Sequence, residues 1–203
     1  MREILFDTIS LLTILNPIAA AAIMVSLVKY SEIKEVSKKT SLAVFIASVI
    51  TMFAGGFILK LFGINLPSIK AIGGVVLLLI AINMVQGKEI VETNQTQEEH
   101  QAAQNKDDIA IIPLAIPILF GPGVITTIIV LSEKSVTVLQ KAYLLGAIAS
   151  ASLITYIILG NASYISKYLG VNGLKIVTRL MGLIIGAIAF LFLVGGVKAL
   201  WVS

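Results

Sequence analysis

Six stretches of this chain carry no charged side chain: residues 8–28, 40–59, 71–87, 109–132, 142–166 and 180–197. Crossing a hydrocarbon core ~30 Å thick takes about 20 helical residues, with a working range of roughly 17–25, and all six runs fall inside it. One such run is compatible with a buried core helix. Six of them in 203 residues leave too little polar sequence to cover them in water, so the expected fold is all-α and integral to a membrane, with six transmembrane helices. The composition agrees, at 58% hydrophobic and 13% charged, with a mean hydropathy of +1.01. Arg2 before an apolar run, with Ala19–Ala22 as a mimic of a cleavage site, resembles a signal peptide. The run continues to Val28, however, which favours a retained helix. The absence of cysteine excludes disulfides and thiolate metal sites.

The fourth run cannot be a straight helix. Residues 111–132, IIPLAIPILFGPGVITTIIVLS, hold Pro113, Pro117, Pro122, Gly121 and Gly123. Each interior proline removes a helix hydrogen bond and clashes with the carbonyl one turn back. A break near the midplane is expected, and irregular backbone at that depth is tolerated only against protein or beside a water-filled cavity. The first run has a smaller version of the feature at Asn16-Pro17. Helices 1 and 4 are therefore both expected to be broken near the midplane.

The net charge of +4 is unevenly placed. Residues 88–108 hold two lysines and six acidic residues and read as an exposed polar linker. The single histidine, His100, lies there without partners at metal-ligand spacing. Basic residues elsewhere cluster at helix ends, where they set membrane orientation, so no nucleic-acid partner is expected. Nine basic residues in the loops after helices 1, 3 and 5, against six at the termini and in the other loops, favour both termini outside.

The two halves align with each other. At an offset of 105, Asn16 meets Gly121, Pro17 meets Pro122 and Lys29 meets Lys134. At an offset of 109, Lys70 meets Arg179, Gly73 meets Gly182, Val85 meets Val194 and Gly87 meets Gly196. The chain thus reads as one membrane domain of two three-helix units, 1–87 and 109–203, joined by the linker 88–108. An odd number of spans per unit forces the second to enter from the opposite side, giving the inverted 3+3 repeat common in secondary transporters.

At a helix break, free N–H groups attract anionic groups and freed carbonyls attract cations or ammonium groups. Two opposed half-helices suit a zwitterion. The candidate substrate-binding residues are Asn16 and Pro17 in helix 1, and Gly121, Pro122, Gly123, Thr126 and Thr127 in helix 4. Gly121 and Gly123 let a ligand approach the backbone, Asn16 offers donor and acceptor, and the two threonines add hydroxyls. The bland alternative is that Pro and Gly only kink the helices while each Thr bonds its own backbone. No ionisable side chain lies at the centre of a span, so a coupled Na+ or H+ would need carbonyls, hydroxyls or a group nearer the interface such as Asp7. There is no phosphate-binding loop, no nucleophile with a base and no metal cluster, so neither an enzyme nor a cofactor is expected.

Asn16-Pro17-Ile18, Ile69–Leu79, Ile112–Thr127 and Thr178–Ala189 together resemble the MarC/SnatA family of bacterial and archaeal membrane proteins, over essentially the whole chain. The resemblance implies a six-helix cytoplasmic-membrane protein and transport of small neutral amino acids such as glycine and alanine. Family members usually continue the helix 1 motif with glycine and a second proline. This chain has Ala19 and Ala22, which implies a milder break in helix 1 than in helix 4. The leading expectation is a secondary transporter working by alternating access. The alternatives are an exporter of amphiphilic compounds, a channel, or a structural membrane protein.

Overall fold

The computed structural model describes residues 2–87 and 109–202, and every element among them is helical. The polar linker 88–108, with His100, lies outside the described residues. In chain order the helices are α1 (Arg2–Leu15), α2 (Pro17–Leu27), α3 (Ile33–Leu61), α4 (Leu66–Gln86), α5 (Ala110–Leu119), α6 (Pro122–Lys134), α7 (Val138–Gly160) and α8 (Ala162–Val202). A 3₁₀ turn, Tyr30–Glu32, precedes α3.

Five helices are long and apolar enough to cross a membrane: Glu3–Leu27, Tyr30–Leu61, Leu66–Gln86, Val138–Gly160 and Asn172–Trp201. α5 and α6 form a further apolar pair bent by 63°, and six crossings result if that pair counts as one. Three boundaries differ from expectation. α3 begins at Ile33 rather than near residue 40, because Lys34, Glu35, Lys38 and Lys39 are good helix formers and extend the helix beyond the apolar run. α7 stops at Gly160, six residues early, where the Asn161 side chain turns back to donate to the Ile157 carbonyl at 2.8 Å. α8 then runs as a short arm, 162–169, and a long arm, Asn172–Trp201, separated by Gly170 at φ 61°, ψ 179°. A side chain is strained at that backbone angle, so glycine makes the break possible.

Local chemistry sets the other starts. Asn65 caps α4 by accepting from the Ser68 N–H at 2.9 Å, with Pro67 in the first turn. Thr137 and Gln140 form a reciprocal capping box at α7. Both devices satisfy N–H groups that a helix start leaves without partners.

The interior has two cores. The larger joins α1, α2, α3, α5, α6 and α7 around Leu11, Met24, Val44, Leu114, Ile128, Leu144 and Ile148. The smaller lies between α4 and α8 and contains Leu77, Ala81, Met84, Ile185 and Ala189. α4 and the long arm of α8 pack most extensively of all pairs. Gly74 lies against Ala189 and Leu193, Gly182 against Ala81 and Met84, and Gly196 against Pro67 and Ala71. Those pairs run in opposite directions along the two helices, so the helices are antiparallel. Small residues let the backbones approach this closely, which is how helices associate where lipid gives no hydrophobic drive.

Candidate functional site

Between α1 and α2 the ladder is interrupted at one residue. Asn16 adopts the left-handed conformation, φ 47°, ψ 58°, which asparagine tolerates better than most residues with a Cβ. Its N–H still donates to the Leu12 carbonyl at 2.9 Å, and its carbonyl accepts from the Ala20 N–H at 3.2 Å. Pro17, the first residue of α2, has no N–H to offer, so the last turn of α1 keeps carbonyls without helical donors.

The second interruption is larger. Ile112 and Ile116 have extended backbone angles, φ −123°, ψ 118° and φ −128°, ψ 123°. Each precedes a proline, whose ring excludes the α conformation from the residue before it. The Ile116–Pro117 peptide is cis. Phe120 donates from its N–H to the Ala115 carbonyl at 2.8 Å in a widened turn, and Gly121 is extended at φ −92°, ψ 178°. α6 starts at Pro122, with the Gly121 carbonyl accepting from Val124 and Ile125 at 3.0 and 3.2 Å. The Gly123 N–H takes no backbone carbonyl, leaving the positive end of α6 open. Glu3–Leu27 passes as one span while the second pair bends by 63°.

A cavity of about 260 Å³ lies where these ends meet. Ile14–Asn16, Ala19, Ala20 and Ile23 supply one wall, the α4 face from Val76 through Leu79, Ile80 and Asn83 to Met84 another, and Pro117–Leu119 with Gly121–Val124 the third, with Ile185 behind. Asn16 is 7% exposed, and neither its amide oxygen nor its amide nitrogen has a hydrogen-bond partner. A buried amide left unpaired costs of order 1–3 kcal/mol, so an unfilled amide at a cavity calls for a ligand or water. The Thr8, Ser41 and Thr155 hydroxyls are also buried without partners, but none of them lines this cavity. No charged side chain among the described residues lines it. No three His, Cys, Asp or Glu among the described residues converge to hold a metal.

Of the expected site residues, Asn16, Gly121, Pro122 and Gly123 come together on the cavity wall, while Pro17, Thr126 and Thr127 do not reach it. Pro17 is buried behind the break. The Thr126 hydroxyl donates to the Pro122 carbonyl at 3.0 Å and that of Thr127 to the Gly123 carbonyl at 2.8 Å, each within its own helix. Thr126 also rests against Gly73. Gly123 serves packing as much as access, because a methyl there would meet Leu77 Cδ2 at 2.5 Å. The Gly73–Thr126 and Gly123–Leu77 contacts close the cavity toward the ends of α6 and α4 that lie nearer the termini. From the breaks it extends the other way, toward Ile23 and Met84.

Asn83 is the residue the sequence reading passed over. Half-buried on α4, it lines the same cavity. The available signal was an amide alone in the apolar run 71–85. Because Thr126 is off the wall and bonded to its own helix, Thr126→Val is expected to leave substrate affinity unchanged and to cost at most about 1 kcal/mol of stability. Binding isotherms and thermal melting of the variant check both.

Fold and site together describe a helical integral membrane protein with a small uncharged cavity at facing helix ends. The chain matches the MarC family of integral membrane proteins over residues 1–201 and belongs to that family. A UPF0056 membrane protein of Aquifex aeolicus is 36% identical over 95% of this chain and 91% of its own length. Another, from Methanocaldococcus jannaschii, is 38% identical over 93% of each chain. The UPF0056 membrane protein YvbG of Bacillus subtilis is 31% identical over 95% of this chain and 93% of its own. No solved structure matches.

Proposed function

We propose that this chain is a secondary transporter of small neutral amino acids, glycine- or alanine-like, rather than an enzyme, and that it works in the cell membrane by alternating access. The observation that carries the reading is the unpartnered amide of Asn16 in the 260 Å³ cavity. That volume is below the roughly 300–1,000 Å³ of drug-sized pockets, which favours a small solute over an amphiphile. With no charged side chain on the wall, a ligand carrying net charge would be uncompensated. A zwitterion is neutral overall, and its two ends have partners. The carboxylate faces the open N-terminus of α6 at Gly123, the ammonium faces the freed carbonyls of α1, and the amides of Asn16 and Asn83 hold the middle.

The inverted repeat is part of the same proposal. Pro17 and Pro122 each open the half-helix after a break. Lys70 lies beside Gly195 of α8, next to the Gly196 that aligns with Gly87, and the aligned Arg179 lies beside Gly87 just after α4, within one residue of the reciprocity that a two-fold in the membrane plane produces. Both termini then lie outside. The cavity extends from the breaks toward Ile23 and Met84, and parting Gly73 from Thr126 and Leu77 from Gly123 opens it in the other direction.

Reconstitution into liposomes tests the reading. Saturable uptake of labelled glycine or alanine, competed by the other but not by bulky drugs, is the expected result, and imposed Na+ or H+ gradients identify any coupling ion. Flux linear in concentration would replace the transporter with a channel. Absence of flux for the whole panel would leave a structural role.

A further inference from the structure

The connection between α7 and the long arm of α8 contains more than a turn requires. The corresponding connection between α3 and α4 is closed by four residues, 62–65, whereas here the short arm 162–169 intervenes. None of its residues lines the central cavity. Ala162 is buried and Ile165 half-buried, while Tyr164, Lys167 and Tyr168 are exposed. Their spacing of three and four residues places them on one face. An open groove of about 700 Å³ runs along this arm, lined by Tyr164, Ile165, Lys167, Tyr168 and Leu169. The Tyr30 side chain lies close enough to Tyr164 for the two to interact, which brings the exposed Lys29–Tyr30 turn alongside.

We propose that the short arm of α8 and the Lys29–Tyr30 turn bind the headgroups of anionic phospholipids. Place, charge and shape select that occupant. The arm lies where two membrane-crossing helices end, at Gly160 and Asn172, which is the depth of the headgroups. Tyrosine suits that depth because its ring is apolar and its hydroxyl is wet. From Ser135 to Ser203 the chain has no Asp or Glu, so no carboxylate on α7 or α8 opposes an anion there. The nearest acidic residues along the chain from Tyr30 are Glu32 and Glu35, and Glu35 pairs with Lys39 at 2.8 Å. A headgroup phosphate accepts from the Lys29 and Lys167 ammonium groups and the tyrosine hydroxyls, with acyl carbons along Ile165 and Leu169. The surface is separate from the transport cavity and does not depend on what that cavity binds.

Native mass spectrometry of the full-length protein, released from detergent containing equal phosphatidylglycerol and phosphatidylcholine, tests this. The wild type is expected to retain phosphatidylglycerol preferentially. Lys29→Gln with Lys167→Gln is expected to lower that preference about fivefold per lysine, and Lys29→Arg with Lys167→Arg to keep it. Lys60→Gln with Lys141→Gln, on the other side of the bundle, is the control expected to match the wild type. Circular dichroism and gel filtration identify any variant that has not folded, for which the arginine pair provides the comparison. A wild type without preference, or a glutamine pair that retains phosphatidylglycerol like the wild type, overturns the proposal.

Discussion

Asn16→Gly is expected to abolish most high-affinity binding of a small amino acid while leaving the fold intact. Glycine adopts the left-handed angles of residue 16 (φ 47°, ψ 58°) without a Cβ penalty, so the break between α1 and α2 is preserved. What is lost is the amide that has no protein partner. A hydrogen bond to a charged group contributes about 1.5–3 kcal/mol, which corresponds to roughly a 10- to 150-fold weaker affinity. Stability should not fall by much. Removing a buried unpaired amide relieves a cost of order 1–3 kcal/mol, against about 0.5–1 kcal/mol for the extra chain entropy of glycine. Asn16→Ala loses the same amide but puts a Cβ in the left-handed region, at an added cost of about 1–2 kcal/mol. Concentration dependence of uptake in liposomes and melting in detergent separate the two effects. If Asn16→Gly transports with the wild-type concentration dependence, the amide is not a ligand, and the site must be rebuilt around Asn83 and the α6 N-terminus.

What could be read from the sequence follows from which features are fixed by backbone rules and which by packing. The charge-free runs gave the apolar helices because length and charge alone decide what can cross lipid. Asn16-Pro17 and Gly121-Pro122 marked the interruptions because proline lacks an N–H wherever it sits. The facing of side chains was not legible. In helices that are apolar all round, periodicity does not say which side is inside, so Asn83 could not be turned toward the cavity nor Thr126 away from it. Thr127 and Thr126 could each have reached a ligand or their own carbonyl four residues back, and both took the carbonyl. The end of α7 depended on one asparagine folding back, which a run of uncharged residues through 166 conceals, and the break in α8 depended on one glycine at positive φ.

Gly74→Ala and Gly196→Ala are expected to be the most damaging single-methyl changes among the glycines whose neighbours are backbone atoms. A methyl at Gly74 would meet Leu193 N at 2.5 Å and the Ala189 carbonyl at 2.8 Å, and one at Gly196 would meet Ala71 N at 2.5 Å and the Pro67 carbonyl at 2.7 Å. A flexible side chain can rotate away, as Leu77 can beside Gly123, but backbone cannot, so relief requires α4 and α8 to separate. Overpacking of this kind costs about 1–3 kcal/mol per methyl. With about 2–4 °C of melting temperature per kcal/mol for a chain of this size, each variant should melt several degrees below the wild type. Gly146→Ala on α7 is the contrast, since nothing lies within 4 Å of its methyl, and helix propensity favours alanine there by about 0.8–1 kcal/mol. Separating α4 from α8 also has a functional cost. Val76, Leu79, Ile80 and Asn83 form the α4 wall of the cavity and Ile185 of α8 stands behind them, so the seam fixes the position of one whole wall relative to Asn16. Gly74→Ala should therefore weaken binding even at temperatures where it is fully folded, whereas Gly146→Ala should not. Wild-type melting of Gly74→Ala would mean that the α4–α8 contact is looser than these distances require, and that the wall moves freely.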